Sequence, residues 1–181
     1  SVGNDIRITG GAVINNQAGA TWNLATTIGS AVTGGGTFNN FGTVANTGST
    51  HYQLQTVFNN SGVVNTGERT FGINGTFNML AGSVTGNGDL ELGGTFNWSG
   101  GTIGSDLRGV LLRTFGTTTS NVTQNVTLGR RRWVNTGTVN QSGASRVTHG
   151  GEARIDNEVG GTWNLSSTHA TPLAGDPGSI F

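Results

Sequence analysis

The stretch GTFNNFGTVANTG, residues 36–48, returns in altered form as TVFNNSGVVNTG at residues 56–67 and as RRWVNTGTVNQSG at residues 131–143. In each copy, short runs of alternating apolar and polar residues are separated by Gly, Asn or Ser. Alternation is typical of a strand with one buried face, and the separating residues tolerate the backbone angles of tight turns. The stretch therefore predicts short strands joined by tight corners.

Large apolar residues recur at one position of each repeat unit. They are spaced by 18 to 20 residues and are Phe38, Phe58, Phe77, Phe96, Phe115 and Trp133. A second column with the same period consists of Val44, Val64, Val84, Ile103 and Val139. A third consists of apolar pairs, Tyr52/Leu54, Phe71/Ile73, Leu90/Leu92, Val110/Leu112 and Val126/Leu128. Three columns that share one period indicate a stacked-repeat protein.

Each repeat unit has room for three short strands and three corners. The predicted fold class is therefore all-β: a single-stranded parallel β-helix, or β-solenoid, with about 19 residues and three short strands per coil. Successive coils of such a fold stack at the spacing of hydrogen-bonded strands, about 4.8 Å. Leucine-rich repeats have a similar period, but their leucine pattern and helical half are missing.

We expect residues 1–181 to form one continuous β-solenoid, with regular coils at about 36–150 and longer, looped coils at about 11–35 and 151–181. The longer coils carry two similar stretches, VINNQAGATWNL at 13–24 and RIDNEVGGTWNL at 154–165. Their Ile14 and Ile155 are both expected in the column of Phe38. The chain begins with Ser1, and its last residues, GSIF, resemble the start of another unit. We therefore expect a segment of a longer chain.

The composition excludes several classes of protein. The chain has 33 glycines, 10% charged residues, nine arginines, no lysine and a formal net charge of zero. Long helices are not expected where Gly and Asn are so frequent, and zero net charge argues against a nucleic-acid partner. No apolar run is long enough for a membrane span. Without cysteine there is no thiolate metal site, and without lysine no phosphate-binding loop, so we expect no cofactor.

The stretches GTFNNFGTV, VFNNSGVVNTG, GNGDLELGGTFNWSGGTIG and INNQAGATWNL resemble the repeat regions of large bacterial exoproteins. These exoproteins are filamentous-haemagglutinin-like adhesins and autotransporter passenger domains. The resemblance covers roughly residues 11–165 and concerns the style of the repeats. It implies a right-handed parallel β-helix, an extracellular location on the bacterial cell surface, and a role in adhesion, aggregation or biofilm attachment.

Two polar columns flank the aromatic column. Threonine precedes it at Thr37, Thr76, Thr95 and Thr114, and asparagine follows it at Asn39, Asn59, Asn78 and Asn97. Strand alternation turns both columns outward on the same face. Stacked asparagines form hydrogen-bonded ladders in other stacked-strand structures. We expect such a ladder, and the alternative is a flat surface that binds sugar hydroxyls or ordered water.

A charged corner is the best candidate for glycan chemistry. Counted from the aromatic markers, Glu68 and Asp106 fall at the same position, and Arg69, Asp89 and Arg108 fall within two residues of it. Two carboxylates with an arginine are suited to acid–base work on a glycan. The alternative, which we favour, is a solvated corner of mixed charge.

Two further charged clusters have structural interpretations. In Glu152–Glu158 every second residue is charged, which places these side chains on one face of a strand. Surface ion pairing explains them, and a calcium site is the less favoured alternative. The run Arg130–Arg132 next to Trp133 is expected to be a solvated corner, although it could also hold an anionic glycan. No metal ligands are assigned.

The sequence therefore favours a non-catalytic, secreted structural or adhesive segment, a rigid stalk or fibre-forming module. Its expected partners are copies of itself stacked end to end or adjoining solenoid segments, and host or matrix glycans. The alternative function is a carbohydrate-binding or polysaccharide-cleaving β-helix that uses Glu68, Asp106 and Arg108. An enzyme would need these carboxylates to converge in one groove.

Overall fold

The computed structural model describes residues 6–25, 30–48, 51–178 and 180. These residues form no helix, and short strands alternate with turns. The strands are β1 (Ile6–Arg7), β2 (Val13–Asn16), β3 (Thr21–Leu24), β4 (Ser30–Asn40), β5 (Thr43–Asn46), β6 (Tyr52–Asn60), β7 (Val63–Asn65), β8 (Phe71–Ile73), β9 (Phe77–Met79), β10 (Ser83–Thr85), β11 (Leu90–Leu92), β12 (Thr95–Trp98), β13 (Thr102–Gly104), β14 (Leu111–Thr114), β15 (Thr119–Val122), β16 (Val126–Gly129), β17 (Arg132–Asn135), β18 (Thr138–Gln141), β19 (Val147–Gly150), β20 (Arg154–Asn157), β21 (Thr162–Leu165) and β22 (Leu173–Gly175).

The strands stack in parallel on three faces. Face 1 contains β1, the first parts of β4 and β6, and then β8, β11, β14, β17 and β20. Face 2 contains β2, the last parts of β4 and β6, and then β9, β12, β15, β18 and β21. Face 3 contains β3, β5, β7, β10, β13, β16, β19 and β22. The predicted fold is confirmed: the chain is a β-solenoid of about seven turns, with about 21 residues per turn.

Glycine allows the coils to stack closely at the corner between faces 2 and 3. A Cβ atom on Gly62 would collide with the carbonyl oxygen of Gly42, and one on Gly82 would collide with that of Gly62. Gly82 also has a φ of +71°, which disfavours any residue with a side chain. The repeated glycine of the opening stretch is therefore required where one corner passes directly over the next.

The core consists of inward-facing columns, one or more per face. The inner column of face 2 is Ile14, Phe38, Phe58, Phe77, Phe96, Ser120, Val139 and Trp163. An unbroken series of ring contacts, with centroids 4.9 to 5.8 Å apart, joins Trp22, Phe38, Phe58, Phe77, Phe96, Trp98, Trp133 and Trp163. Aromatic contact therefore extends from the coil of β3 to the coil of β21.

The prediction that Phe115 belongs to this column is wrong. Ser120 follows Phe96 in the face 2 register, and Phe115 is 40% exposed. Phe115 lies in an added turn, in which its carbonyl oxygen accepts a hydrogen bond of 3.1 Å from the N–H of Thr118. The turn lengthens this coil to 24 residues, as the spacing of the stacked asparagines next to Phe96 and Ser120 shows. The added length moves Phe115 out of the core.

The predicted columns are one face out of step after this turn. Trp133 lies in the inner column of face 1, between Leu112 and Ile155, and not in the column of Phe38. Val139 lies on face 2 and Leu128 on face 3, whereas the sequence suggested faces 3 and 1 for them. Ile14 does pair with Phe38, as expected, because it precedes the added turn. The same expectation is wrong for Ile155, which follows the turn and lies on face 1.

The same corner sequence is used at two different corners, which explains the error. Between faces 2 and 3, the buried Asn40 donates a side-chain hydrogen bond of 2.7 Å to Asn60 of the next coil. Between faces 1 and 2, Asn135 makes a bond of the same length to Asn157. The stretches around Asn40 and Asn135 therefore look alike although they lie one face apart.

Ile180, the last described residue, pairs with the coil before it. The N–H of Ile180 donates to the carbonyl oxygen of Ala153 at 3.2 Å, and Ile180 forms a parallel bridge with Arg154. The neighbouring Ser179 and Phe181 of the final GSIF lie outside the described residues.

Candidate functional site

A ladder of asparagines runs along the outer side of face 2. Seven side-chain hydrogen bonds of 2.6 to 3.2 Å join its members. In chain order the members are Asn15, Asn39, Asn59, Asn78, Asn97, Asn121, Asn140 and Asn164. In every bond the amide nitrogen of the later asparagine donates to the amide oxygen of the earlier one. All seven bonds therefore have the same polarity along the solenoid axis.

Threonines lie beside this ladder, two residues before its members. Thr37, Thr76 and Thr95 occupy this position as predicted from the sequence. Thr95 pairs with Thr119 of the next coil and not with the expected Thr114. The buried Thr114 instead faces the core, where its hydroxyl donates a hydrogen bond of 2.8 Å to Asn135. The surface of face 2 thus presents Thr next to Asn in most coils, with Val13 and Val57 in the other two.

A second, buried ladder reinforces the corner between faces 2 and 3. Asn16 donates to Asn40 at 2.8 Å, and Asn40 donates to Asn60 at 2.7 Å. Asn40 also donates to the carbonyl oxygen of Val63 at 3.0 Å, so it satisfies a backbone group at the turn. The ladder ends at Asn60, whose amide nitrogen donates to the sulfur of Met79 at 3.3 Å. These asparagines fix the corner, because a buried amide is stable only when it is hydrogen-bonded.

Arg131 is fully buried, which corrects the expectation that Arg130–Arg132 form a solvated corner. Its guanidinium donates to four backbone carbonyl oxygens at 2.8 to 3.1 Å. The acceptors are Gly86, Gly88, Gly104 and Leu111. Burial lowers the pKa of Arg131 to about 10, although the nearby Asp89 opposes this effect. Arg131 therefore crosslinks several coils from within and is not available to a ligand.

The predicted charged corner lies between faces 3 and 1, but its members contact other residues. Glu68 accepts a hydrogen bond of 3.3 Å from Asn87 of the next coil. Asp106 lies one coil beyond Asn87, and its backbone oxygen accepts a bond of 2.9 Å from Arg130. Arg108 forms an ion pair with Glu152. The structure therefore places the two carboxylates in coils that are separated by another coil, and it does not bring Arg108 to either of them.

The second charged cluster forms ion pairs within and between strands. Arg154 contacts Asp156 in the same strand at 2.6 Å, as the alternation suggested. Arg132 of the preceding coil contacts Asp156 and also Glu158, the latter at 3.0 Å. Partial burial alone would raise the pKa of Asp156, but the hydrogen bonds from the two arginines outweigh it and lower this pKa. The hydrogen bond to Asp156 raises the pKa of Arg132.

A groove of about 440 Å³ runs over face 3. Its floor is formed by strands β10, β13, β16 and β19, and Asp106, Arg130 and Asp176 stand at its edge. The buried His149 lies beneath this face; burial lowers the pKa of His149, and the nearby Asp176 opposes the shift. Among the described residues, no group of three or more His, Asp or Glu side chains is arranged to hold a metal ion.

Sequence reasoning missed half of the outer ladder and the whole groove. Asn121, Asn140 and Asn164 follow threonine by two residues, so a search for the triplet Thr-x-Asn would have found them. The groove depends on the stacking of Gly104 on Gly129 across a coil of unusual length. No local sequence signal reports this alignment.

Comparison with known proteins adds no relative. No family model matches the sequence, and neither a curated protein nor a solved structure matches it significantly. The described part of the chain contains no helix long and apolar enough to cross a membrane.

Proposed function

We propose that this protein is a structural or adhesive segment of a secreted bacterial surface protein, a rigid β-solenoid stalk or fibre-forming module. The observation that carries this proposal is the outer asparagine ladder, which continues from Asn15 to Asn164 without a change of polarity. The ladder on the surface and the aromatic series in the core both connect the coils to one another, and these connections stiffen the solenoid along its axis.

The mechanism of the module is local contact repeated along one axis. Each coil pairs with its neighbours, so length is added without any need for long-range contacts. Hydrogen bonds that are aligned in a chain polarise one another and gain strength. Force applied along the axis is then shared among the three faces, the asparagine ladder and the core.

The proposed partners are adjoining solenoid segments or further copies of the chain. At one end of the ladder, the amide oxygen of Asn15 accepts the hydrogen bond from Asn39. At the other end, the amide nitrogen of Asn164 donates to Asn140. A further coil with an asparagine in this column would extend the ladder at either end in the same direction.

The polysaccharide-cleaving alternative has less support. Acid–base catalysis on a glycan needs two carboxylates on either side of one glycosidic bond. Glu68 and Asp106 are separated by the coil of Asn87, and Arg108 is engaged by Glu152.

Two experiments test the proposal. Immunogold electron microscopy of intact producing cells should label the cell surface or extracellular fibres, and label confined to the cell interior would overturn it. Negative-stain microscopy and light scattering of the purified chain should show short rods or end-to-end filaments. Seven turns at the strand spacing give a rod about 34 Å tall. Filaments built from round particles, with no solenoid axis along the filament, would contradict end-to-end stacking.

A further inference from the structure

The groove on face 3 has a floor that is free of side chains along one column. Gly104, Gly129 and Gly150 are stacked in register on the outer side of this face. Asp176 follows Gly150 in the column, and its carboxylate leans over Gly150. No side chain therefore covers the column at Gly104 and Gly129, and the Asp176 carboxylate covers it at Gly150.

A row of hydroxyl groups runs parallel to the glycine column. Ser83, Thr102 and Thr127 are aligned on successive strands, two residues before the glycine column. Their side-chain hydroxyls make no hydrogen bond to any described residue, although all three line the groove. A hydroxyl both donates and accepts, so this row offers repeated hydrogen bonding along the axis.

The rim of the groove is held in place by contacts between coils. Arg130 donates to the backbone oxygen of Asp106 at 2.9 Å, and Arg108 forms an ion pair with Glu152. These contacts leave the Asp106 carboxylate without a hydrogen bond from any described residue, and the same is true of Asp176. The groove thus has a fixed edge with two carboxylates that are available as acceptors.

We propose that this groove binds an extended neutral oligosaccharide that lies along the solenoid axis. The open glycine column accommodates the flat C–H side of sugar rings. The free hydroxyls and the two carboxylates match a ligand that carries many O–H donors and no net charge of its own. The two carboxylates would repel a polyanionic ligand. A nucleic acid is also excluded, because Arg130 is the one cation among the lining residues and the groove has no basic surface.

The inference is independent of the proposed stalk function. A stable surface rod that binds no glycan would overturn the groove proposal alone, whereas glycan binding by a protein found inside the cell would overturn the stalk alone.

The experiment uses the full chain and three neutral linear probes, maltohexaose, cellohexaose and laminarihexaose, in isothermal titration calorimetry. At least one probe should bind. Gly129→Leu fills the floor, and its backbone tolerates the change, because the nearest atom to an added Cβ is the Gly104 Cα at 3.8 Å. Asp106→Asn and Asp176→Asn each remove one charged acceptor. We expect Gly129→Leu to weaken binding at least about tenfold, because its side chain occupies the floor of the groove. Each Asn variant should weaken binding about fivefold, because the amide still accepts a hydrogen bond but carries no charge.

The matched control is Gly35→Leu. Gly35 is exposed in β4, far from the groove residues in sequence, and no atom lies within 4 Å of an added Cβ. This variant should bind the probe as the natural chain does. Circular dichroism and thermal melting verify that each variant folds, and the two Asp variants keep the test valid if Gly129→Leu does not fold. The proposal is wrong if none of the probes binds at millimolar concentration, or if Gly129→Leu and both Asp variants bind as tightly as Gly35→Leu.

Discussion

The side-chain nitrogen of Asn78 donates a hydrogen bond of 2.6 Å to the side-chain oxygen of Asn59, one coil earlier, and Asn78 accepts a bond of 2.7 Å from Asn97. This arrangement repeats along the outer side of face 2. Each interior member of the ladder therefore joins two neighbouring coils. A polar surface residue becomes part of the axial connection between coils in addition to the backbone pairing.

Asn78→Ala should destabilise the protein by about 1 to 3 kcal/mol, because two hydrogen bonds worth about 1 kcal/mol each are lost. Chemical denaturation followed by circular dichroism measures the change. Asn74→Ala is the matched control, because Asn74 is exposed and lies outside the ladder; it should change the free energy of unfolding by less than about 0.5 kcal/mol. Equal effects of the two substitutions would show that the ladder does not contribute to stability.

Phe77→Ala and Phe115→Ala should have very different effects. Phe77 is 1% exposed and lies between the rings of Phe58 and Phe96, at 5.5 and 5.4 Å. Its loss leaves a cavity and should cost about 3 to 5 kcal/mol. Phe115 is 40% exposed, so its replacement should cost less than about 1 kcal/mol. Thermal or denaturant unfolding of both variants decides whether the column is continued by Ser120 or by Phe115.

The fold could be predicted from the sequence because the columns are built from consecutive units of nearly equal length. From Phe38 to Phe96 the register of the sequence and that of the structure agree. Beyond Phe96 an added turn lengthens the coil, and the next member of the column is Ser120. Ser120 has no apolar side chain that would mark the column in the sequence. A small polar residue in a core column gives no periodic signal, so the register was lost there.

In the candidate site, the sequence could predict only the ladder asparagines that lie next to the aromatic column between Phe38 and Phe96. The asparagines next to Phe38, Phe58, Phe77 and Phe96 were found, since they follow the marker directly. The burial of Arg131 could not be inferred, because its flanking residues Arg130 and Arg132 are partly or fully exposed and share its chemistry. Its position depends on carbonyl groups of other coils, which the local sequence does not report.

Arg131→Met should destabilise the protein by about 3 kcal/mol or more, because the substitution leaves several buried carbonyl groups without a donor. Arg69→Met is the control: Arg69 is exposed and makes no side-chain hydrogen bond with the described residues, so the change should be within about 0.5 kcal/mol. Denaturant midpoints of both variants provide the comparison. An Arg131→Met variant as stable as the natural chain would show that the buried guanidinium is dispensable.

Asp156 should make the stability sensitive to acid. The hydrogen bonds from Arg132 and Arg154 lower the pKa of Asp156 below its ordinary value of 3.8, so the unfolded chain takes up its proton first as the pH falls. The contribution of Asp156 is therefore complete above that value and is lost as the pH falls through the lower folded-state pKa. We expect the free energy of unfolding of Asp156→Asn to decline less steeply than that of the natural chain between about pH 4 and pH 2. Identical slopes would indicate that the ion pairs are absent in solution.

We predict that the coils stack into one rigid rod with a constant rise along its axis. The chain contains no cysteine, so cysteines introduced at chosen sites are the only ones that a spin label modifies. Val13, Thr95 and Thr162 are exposed members of one column on face 2. Four strand spacings, or about 19 Å, separate Val13 from Thr95, and seven spacings, or about 34 Å, separate Val13 from Thr162.

The most direct test is the measurement of both distances by pulsed electron–electron double resonance, with cysteine pairs at positions 13/95 and 13/162. We predict a single narrow distribution for each pair, and a difference between their means of about 14 Å, or three strand spacings. A broad distribution for the 13/162 pair, or a difference far from three spacings, would contradict the rigid, regularly stacked solenoid.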